Sequence, residues 1–253
     1  MSRYLKLFAF VAIFGSVSLA QTPPDSSTGS GLDNSNRHSE IYAGSPSVRA
    51  ANVRISVARL KETRKAQKLY NKALEAWADK KLKLAERRVD QALRAYPRFP
   101  EALTLQAGIQ ASCGEWLPAE ANLRAATAID PDYSPAYVVL AGLYNAQSRF
   151  DDAKQATDQA LSAGADNWDV RYEIARALIG KGQYKSALVV AESALQTKHG
   201  SLLHLAKAHA LMGLLQYRQA ARELRVYLRY QPSGDGSEQA HELLYKLQNV
   251  IGE

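Results

Sequence analysis

The sequence predicts an all-α fold, an α-solenoid of about five helix–turn–helix repeats followed by a C-terminal helix. Between residues 134 and 164, apolar residues recur at helical spacing in two segments, about Pro135–Gln147 and Asp151–Ala163. A short polar turn around Ser148 separates them. Alanines on the facing sides allow two helices to approach closely, so this stretch is predicted to be one pair of packed helices.

The same pattern recurs along the chain at a fixed period. Two small residues seven apart return every 34 residues, with a last copy after 33, in which tyrosine replaces the second alanine: Ala85/Ala92, Ala119/Ala126, Ala153/Ala160, Ala187/Ala194 and Ala220/Tyr227. A large side chain keeps the same step at each turn: Leu82, Trp116, Phe150, Tyr184 and Tyr217. A period of this length predicts a stack of repeats that bury a continuous core between neighbours.

The ends of the second helices are also marked. Proline, which cannot continue a helix, follows those of repeats one, two and five at Pro97, Pro131 and Pro232. Repeats three and four lack this proline, and we expect Gly164 and Gly200 to end their second helices. These signals place the helix ends without reference to any related protein.

This unit resembles the tetratricopeptide repeat (TPR), a helix–turn–helix of 34 residues. The resemblance implies a right-handed TPR superhelix with five repeats in residues 65–233, at about 66–99, 100–133, 134–167, 168–200 and 201–233. Residues 235–251 are expected to form the capping helix of the array, with an apolar stripe on one side. Asp235 and Glu238 have the spacing of a capping box at its start.

The N-terminal segments are predicted to lie outside the repeats. Residues 1–20 have the pattern of a signal peptide, with Arg3 and Lys6 before the apolar run Leu7–Val17 and small residues before Ala20. The apolar run is too short to span a bilayer, which takes about 20 residues. Cleavage after Ala20 would leave an exported protein, periplasmic or secreted, without a later transmembrane segment; the alternative is that the segment is retained as an anchor.

Two further segments precede the first repeat. Residues 21–47 are rich in Pro, Ser, Gly, Asn and Asp and are predicted to be a disordered spacer. Residues 48–64 are interpreted as a short extended lead-in and the start of the first helix, because Val53, Ile55 and Val57 alternate with other residues. Thr63 is the expected N-cap. Residues 55–60, followed by a basic helix, resemble the segment that precedes the repeats in exported bacterial TPR proteins.

Charge is unevenly divided along the chain. Residues 49–98 hold 15 Lys and Arg against 5 Asp and Glu, a net charge of +10, whereas residues 99–253 hold 14 against 17, a net charge of −3. A basic half of this kind could meet an acidic protein, an anionic polymer, a membrane surface or nucleic acid. The alternative is an ordinary helix face that is basic and exposed to solvent. A nucleic-acid partner is not expected.

The sequence offers no set of residues for catalysis, a cofactor or a metal. It has no glycine-rich phosphate loop and no nucleophile elbow. His204 and His209 are five residues apart, which places them on different faces of a helix. The single cysteine, Cys113, is interpreted as a half-buried filler at a turn, with a reactive thiol as the alternative. We therefore predict a protein that is not an enzyme.

The TPR resemblance implies a concave groove lined by the first helices of the repeats. Carrying the groove positions of the family onto this chain gives Tyr70, Trp77, Thr104, Gly108, Ser112, Val138, Gly142, Asn145, Tyr172, Arg176, Ile179, Leu205, His209 and Met212. Of these, the predicted partner-binding residues are Tyr70, Trp77, Val138, Asn145, Tyr172, Arg176, His209 and Met212. Ordinary packing between repeats, or a solvated side chain, is the alternative role at each position.

The functional hypothesis from the sequence is a non-enzymatic, exported scaffold or adaptor that binds a polypeptide in the groove, in assembly of an envelope or secretion complex. The partner's identity is open. Cochaperone TPR domains hold a C-terminal carboxylate with Lys and Asn, and this partner class is not expected here, because the corresponding residues are Tyr70, Leu74, Leu105, Pro135 and Val139. The alternative hypothesis is anchoring to an anionic polymer or membrane surface through residues 49–98.

Overall fold

The computed structural model describes residues 57–197, 200–233 and 236–252, which form eleven α-helices and no strand. In chain order the helices are α1 (Val57–Ala78), α2 (Leu82–Ala95), α3 (Pro100–Ser112), α4 (Trp116–Ile129), α5 (Ser134–Ala146), α6 (Phe150–Ser162), α7 (Trp168–Gly180), α8 (Tyr184–Thr197), α9 (Ser201–Gly213), α10 (Tyr217–Tyr230) and α11 (Ser237–Ile251). The predicted all-α fold is confirmed. The predicted signal peptide (1–20), the spacer (21–47) and residues 48–56 of the lead-in lie outside the described residues.

The helices form five consecutive pairs, and α11 packs on α10 at the end of the stack. The first helices of the pairs, α1, α3, α5, α7 and α9, also contact one another in succession. Second helices make no comparable contact with one another within the described residues. The more closely spaced layer lies on the inside of a curved stack, so the first helices form the concave layer and the second helices the convex layer.

The repeating small residues lie where each pair of helices packs together. Nine alanines and Tyr227 make up the five pairs predicted from the sequence, and none of these ten residues is more than 5% exposed. Side chains this small allow neighbouring helix backbones to approach closely. The interpretation of the 34-residue period as a packing signal is therefore confirmed.

The turn inside each pair contains one residue in the left-handed region. These residues are Lys80, Gly114, Ser148, Gly182 and Leu215, with φ angles between 59° and 80°. Glycine adopts this conformation without strain, whereas an L-residue with a side chain is strained by roughly 1–2 kcal/mol. The same turn is thus built in all five repeats, and three of them carry a strained residue there.

The large residues at the turns pack onto the next repeat. The ring of Phe150 lies against Gly180 and the ring of Tyr184 against Gly213, so closely that a Cβ atom on either glycine would overlap the ring. Each aromatic ring therefore fixes the position of the first helix that follows it. Glycine is required at these two places by the close approach of the ring.

Polar side chains also join neighbouring repeats. Gln106 on α3 donates to Asp90 on α2 at 2.7 Å. At the equivalent place in the fifth repeat, Lys207 on α9 pairs with Glu192 on α8 at 3.2 Å and with Glu223 on α10 at 3.0 Å. The same helix face thus carries a polar bridge between repeats at both ends of the stack.

The structure corrects the C-terminal part of the predicted extended lead-in, since residues 48–56 lie outside the described residues. Residues 57–64 are helical, and Thr63 lies inside α1 rather than at its start. Alternation of apolar residues over a few positions does not prevent a helix when the following residues are strong helix formers. The segment 57–78 therefore forms one continuous helix of 22 residues.

The last helix also begins differently from the prediction. Its N-cap is Gly236, no described side chain caps it, and Glu238 lies in its first turn, while Asp235 is outside the described residues. Ser237 instead donates through Oγ to the carbonyl oxygen of Gln231 at 2.8 Å. Because Asp235 is outside the described residues, the predicted capping box stays a prediction.

Two local predictions at single residues are also corrected, and one is confirmed. Gly164 has a φ of +81° directly after α6, as expected for a residue that ends a helix. Gly200 is the N-cap of α9, and a Cβ atom there would lie 3.0 Å from the Trp168 ring, so packing explains this glycine better than helix termination. Cys113 is exposed rather than half-buried.

Among the described residues, no helix has the length and apolar character needed to cross a bilayer.

Candidate functional site: a buried polar cluster in the concave layer

The structure places the predicted partner-binding residues at two depths of the concave layer. Five side chains are buried against neighbouring helices: Tyr70, Trp77, Val138, Asn145 and Tyr172. Three are partly exposed: Arg176, His209 and Met212. Of the other groove positions, Thr104, Gly108 and Gly142 are buried, and Ser112, Ile179 and Leu205 are partly exposed. The buried residues shape the groove by packing, and direct contact with a partner remains a prediction for all of them.

The concave layer is interrupted by a cluster of polar side chains centred on α7. The buried apolar residues form two groups, one extending from α1 to α7 and one from α7 to α11. Between them, α7 carries Asp169, Glu173 and Arg176, while α5 contributes Asn145 and α9 contributes His209. We refer to these five residues as the α7 cluster.

An ion pair forms the centre of the α7 cluster. Arg176 Nη1 lies 2.9 Å from Glu173 Oε2, and the two side chains are only 13% and 4% exposed. Burial opposes the charge of Arg176, but the neighbouring Glu173 carboxylate outweighs it and raises the pKa of the guanidinium. From α5, Asn145 donates through Nδ2 to Glu173 Oε2 at 2.9 Å and to its carbonyl oxygen at 3.0 Å. The third and fourth repeats are therefore joined through this pair.

Two hydrogen-bond acceptors of the cluster have no partner among the described residues. They are Oδ1 of Asn145 and Oδ1 of Asp169, on side chains of residues that are 6% and 8% exposed. A third buried atom without a described partner, Nε2 of Gln147, lies just beyond the end of α5. Buried polar atoms without a hydrogen bond cost about 1–3 kcal/mol each and are uncommon in folded proteins.

The protonation of Asp169 is unusual for a carboxyl group. Burial, and then repulsion by Glu173, raise its pKa from the ordinary 3.8 to about 7. Near neutral pH the group is consequently divided between its charged and neutral forms. Any added positive charge beside it would favour the charged form.

His209 and Tyr172 complete the surroundings of the ion pair. Burial, and then the charge of Arg176, lower the pKa of His209 to about 4, so the imidazole is neutral near pH 7. Tyr172 lies beside Arg176, whose Cζ is 5.6 Å from the centre of the phenol ring. Burial raises the pKa of Tyr172, which stays protonated. Neither residue adds a charge to the site.

A second polar network, between repeats two and three, provides a contrast because the carboxylate at its centre is fully paired. Glu120 accepts hydrogen bonds from Tyr144 at 2.9 Å, from Arg124 at 2.8 Å and from Arg149 at 2.9 Å. Burial raises the pKa of Glu120, but these donors together outweigh it and lower the pKa below its ordinary value. This network joins repeats two and three, and its central carboxylate is already paired with three donor side chains. The α7 cluster is therefore the candidate site.

A different kind of surface lies on α1. Arg64, Lys65, Lys68 and Lys72 line a shallow depression of about 340 Å³ together with Leu69. None of the four basic side chains forms an ion pair with another described residue. In contrast, Arg176 of the α7 cluster is paired with Glu173, and Arg124 and Arg149 are paired with Glu120. The charge of this face is therefore directed to solvent.

Sequence reasoning found part of the α7 cluster and missed the rest. Asn145, Arg176 and His209 were among the predicted groove residues, but Asp169 and Glu173 were not. Two acidic residues four apart on a first helix were the available signal, since residues at that spacing lie on one helix face. Among the described residues, no three His, Cys, Asp or Glu side chains come together as a metal site would require.

Comparisons with known proteins agree with this architecture. The profile of the tetratricopeptide repeat matches residues 114–167 and again residues 144–210. A thermophilic TPR protein from Thermus thermophilus aligns with a TM-score of 0.64 and 18% identity, over 74% of this chain and 100% of that chain. No curated protein matches the sequence. Residues 114–210 thus match the tetratricopeptide repeat, and the fold of the chain is an all-α TPR superhelix.

Two further solved structures have the same fold. The pilF protein of Pseudomonas aeruginosa aligns with a TM-score of 0.61 and 16% identity, over 76% of this chain and 86% of that chain. PilW, a type IV pilus biogenesis factor, aligns with a TM-score of 0.60 and 17% identity, over 74% of this chain and 94% of that chain. Identities this low relate the folds and leave the function to be argued from the residues.

Proposed function

We propose that this protein is a non-enzymatic scaffold or adaptor that binds a polypeptide in the concave layer formed by α3, α5, α7 and α9. The observation that carries the proposal is the α7 cluster, where Asn145 and Asp169 present acceptors that no described residue satisfies. An extended polypeptide supplies donors of the required kind through its backbone N–H groups and polar side chains. Binding would thus remove a cost that the free protein bears.

The setting of this activity follows from the N-terminal sequence. A signal peptide at residues 1–20 would place the mature chain in the periplasm or outside the cell, and the partner would be a component of an envelope or secretion complex. This part of the proposal depends on the sequence pattern, since residues 1–56 lie outside the described part of the chain.

A selection with random peptides displayed on phage tests the proposed groove. The full mature chain is immobilised, and enriched peptides are then measured by fluorescence anisotropy against the wild type and two variants. Met212→Gln changes a partly exposed side chain of α9 at nearly constant volume, and Val189→Thr makes a matched change on the convex helix α8, where Val189 is 65% exposed. We expect Met212→Gln to weaken binding and Val189→Thr to leave it unchanged. Equal effects of the two variants, or no enriched peptide, would contradict the proposal.

A second candidate function is anchoring to an anionic surface, and the basic face of α1 favours it. Arg64, Lys65, Lys68 and Lys72 lie at one depression and form no ion pair with described residues. Attraction between exposed charges is screened over about 8–10 Å at physiological salt, so such binding would weaken steeply as salt is added. Groove binding through buried polar groups would depend much less on salt.

Vesicle sedimentation separates the two candidates. The wild type is compared with a Lys65→Glu/Lys68→Glu variant and with the control Arg218→Glu/Arg222→Glu, which reverses two exposed charges on α10. Anchoring through α1 predicts binding to phosphatidylglycerol vesicles that salt abolishes and that only the first variant loses. Equal loss in both variants would indicate general charge attraction rather than a surface on α1.

A further inference from the structure

The unsatisfied groups of the α7 cluster are of one chemical kind. Both atoms are acceptors: Oδ1 of Asn145 is an amide oxygen and Oδ1 of Asp169 is a carboxyl oxygen. Asn145 Nδ2 and Arg176 Nη1 already bond to Glu173. The buried atoms of the cluster that lack a described partner are therefore both acceptors.

The charge of the α7 cluster is also incomplete. It contains two carboxyl groups, Asp169 and Glu173, but a single cation, Arg176, and that cation is paired with Glu173. His209 is neutral near pH 7, because burial and Arg176 lower its pKa to about 4. Asp169 is left without a positive neighbour of its own in the cluster, so an anionic ligand would be repelled and a cationic ligand attracted.

Asp169 lies at the N-terminal end of α7. Asp169 lies in the first turn of α7, directly after the Asn167 N-cap and Trp168, and the Asn167 side chain accepts from the backbone N–H of Val170. The residue is 8% exposed and its Oδ1 is buried, so the carboxyl group is nearly, but not completely, enclosed. Glu173 lies four residues further along the same helix face, next to the Asn145 side chain from α5. Asp169, Glu173 and the Asn145 side chain therefore lie along one face of α7.

We propose that the groove recognises a lysine or arginine side chain of its polypeptide partner, which enters at Asp169 and donates hydrogen bonds to its carboxylate, with Asn145 Oδ1 as a second acceptor. This inference rests on the proposed function and names the partner's chemistry at one position. A cation there pairs with the carboxylate that the protein leaves unpaired. A charge-assisted hydrogen bond is about twice as strong as a neutral one, enough to determine which peptides bind.

The raised pKa of Asp169 is consistent with such a subsite. Burial and Glu173 keep the carboxyl group partly protonated near pH 7, and both causes favour the neutral form. A bound ammonium or guanidinium group acts in the opposite direction and favours ionisation. The free protein thereby avoids a full buried charge, and the partner's cation completes the pair.

A double-mutant cycle on a selected peptide tests the inference. Each peptide enriched on the full wild-type chain is resynthesised with its common lysine or arginine replaced by norleucine, and both forms are measured on the wild type and on Asp169→Asn. We expect either change to weaken binding at least about tenfold, and the two together to cost little more than one. Asp158→Asn, an exposed carboxylate on the convex helix α6, is the control and should change affinity less than about twofold.

The outcomes separate this inference from the proposed groove. Two results would overturn the Asp169 subsite and leave the groove standing. One is a set of peptides whose binding depends on Met212 but which share no basic residue. The other is a cycle in which the two changes act independently, so that the combined loss of affinity is the product of the single losses. Failure to select any peptide would overturn both. Thermal melting of Asp169→Asn checks its fold, and the norleucine peptide tests the same contact on the unmodified protein, so a destabilised variant does not remove the test.

Discussion

Replacing Asp169 by asparagine should change how the stability of the fold depends on pH. In the folded protein the pKa of Asp169 is about 7, compared with the ordinary 3.8 expected in the unfolded chain. The folded state therefore holds one more proton between these pH values. The free energy of unfolding contributed by this group is greatest below pH 4 and is lost as the pH rises through 7.

His209 has the opposite effect over much of the same range. Its pKa is about 4 in the folded protein and 6.5 in the unfolded chain, so the unfolded state holds the extra proton between those values. The stability linked to His209 is present above pH 6.5 and is lost as the pH falls through 4. In the wild type the two contributions oppose each other, and their sum changes little between pH 4 and 6.5.

The magnitudes follow from the two shifts at about 1.4 kcal/mol per pKa unit. The change from 3.8 to about 7 corresponds to about 4 kcal/mol for Asp169, and the change from 6.5 to about 4 to about 3 kcal/mol for His209. In the Asp169→Asn variant only the His209 contribution remains, so its free energy of unfolding should increase by about 3 kcal/mol as the pH rises from 4 to 6.5. His209→Gln should lose about 4 kcal/mol between pH 4 and 7.

Urea unfolding followed by far-UV circular dichroism measures these differences. The wild type, both variants and Asp158→Asn are unfolded at several pH values between about 4 and 8, and the free energies are compared within each protein. Asp158 is an exposed carboxylate paired with Lys154, so its variant should follow the wild-type profile. If Asp169→Asn also followed the wild-type profile, the carboxyl group would not be buried and repelled as described, and the reasoning would be refuted.

Three further predictions concern stability, each measured as a change in the free energy of unfolding. Leu215→Gly should stabilise the protein by about 1 kcal/mol, because this 71% exposed residue has a φ of 60° that glycine adopts without strain; a loss would show that the leucine side chain contributes packing. Gly180→Ala should destabilise by about 1–3 kcal/mol, because its Cβ would overlap the Phe150 ring; a neutral result would mean that the ring moves freely. Arg176→Ala should cost about 3–5 kcal/mol, because it leaves the Glu173 carboxylate buried without its cation, and a loss below about 1 kcal/mol would contradict the buried pair.

The repeat architecture could be predicted from the sequence because it depends on local, periodic features. Small residues at positions such as Ala153 and Ala160 allow helices to pack closely, and a 34-residue step can be counted directly. Proline after the second helices, as at Pro131, marks the helix end through the chemistry of one residue. The predicted extended segment was wrong at residues 57–60 for the opposite reason, since alternation over a few residues near Val57 carries less weight than the helix-forming residues that follow.

The site was harder to predict, because it depends on contacts between repeats. Helical spacing assigns Tyr70, Val138 and Tyr172 to the inner faces of the first helices, but it does not show how closely those helices pack. Since neighbouring first helices contact one another, these side chains are buried, and fewer of the predicted binding residues are exposed than the spacing implies. The pairing of Asn145 with Glu173 joins residues 28 apart in the chain, which no single-helix pattern reveals.

Photo-crosslinking in the producing cell tests the central claim most directly, that the concave layer holds a polypeptide. A photoreactive phenylalanine derivative is placed at Met212 in the concave layer, at Val189 on the convex helix α8 and at Lys68 on the basic face of α1. The proposal predicts a discrete protein adduct from position 212 that is absent from position 189 and weakened by Asp169→Asn. Adducts from position 68 alone, or none from position 212, would contradict the groove and direct attention to the basic face.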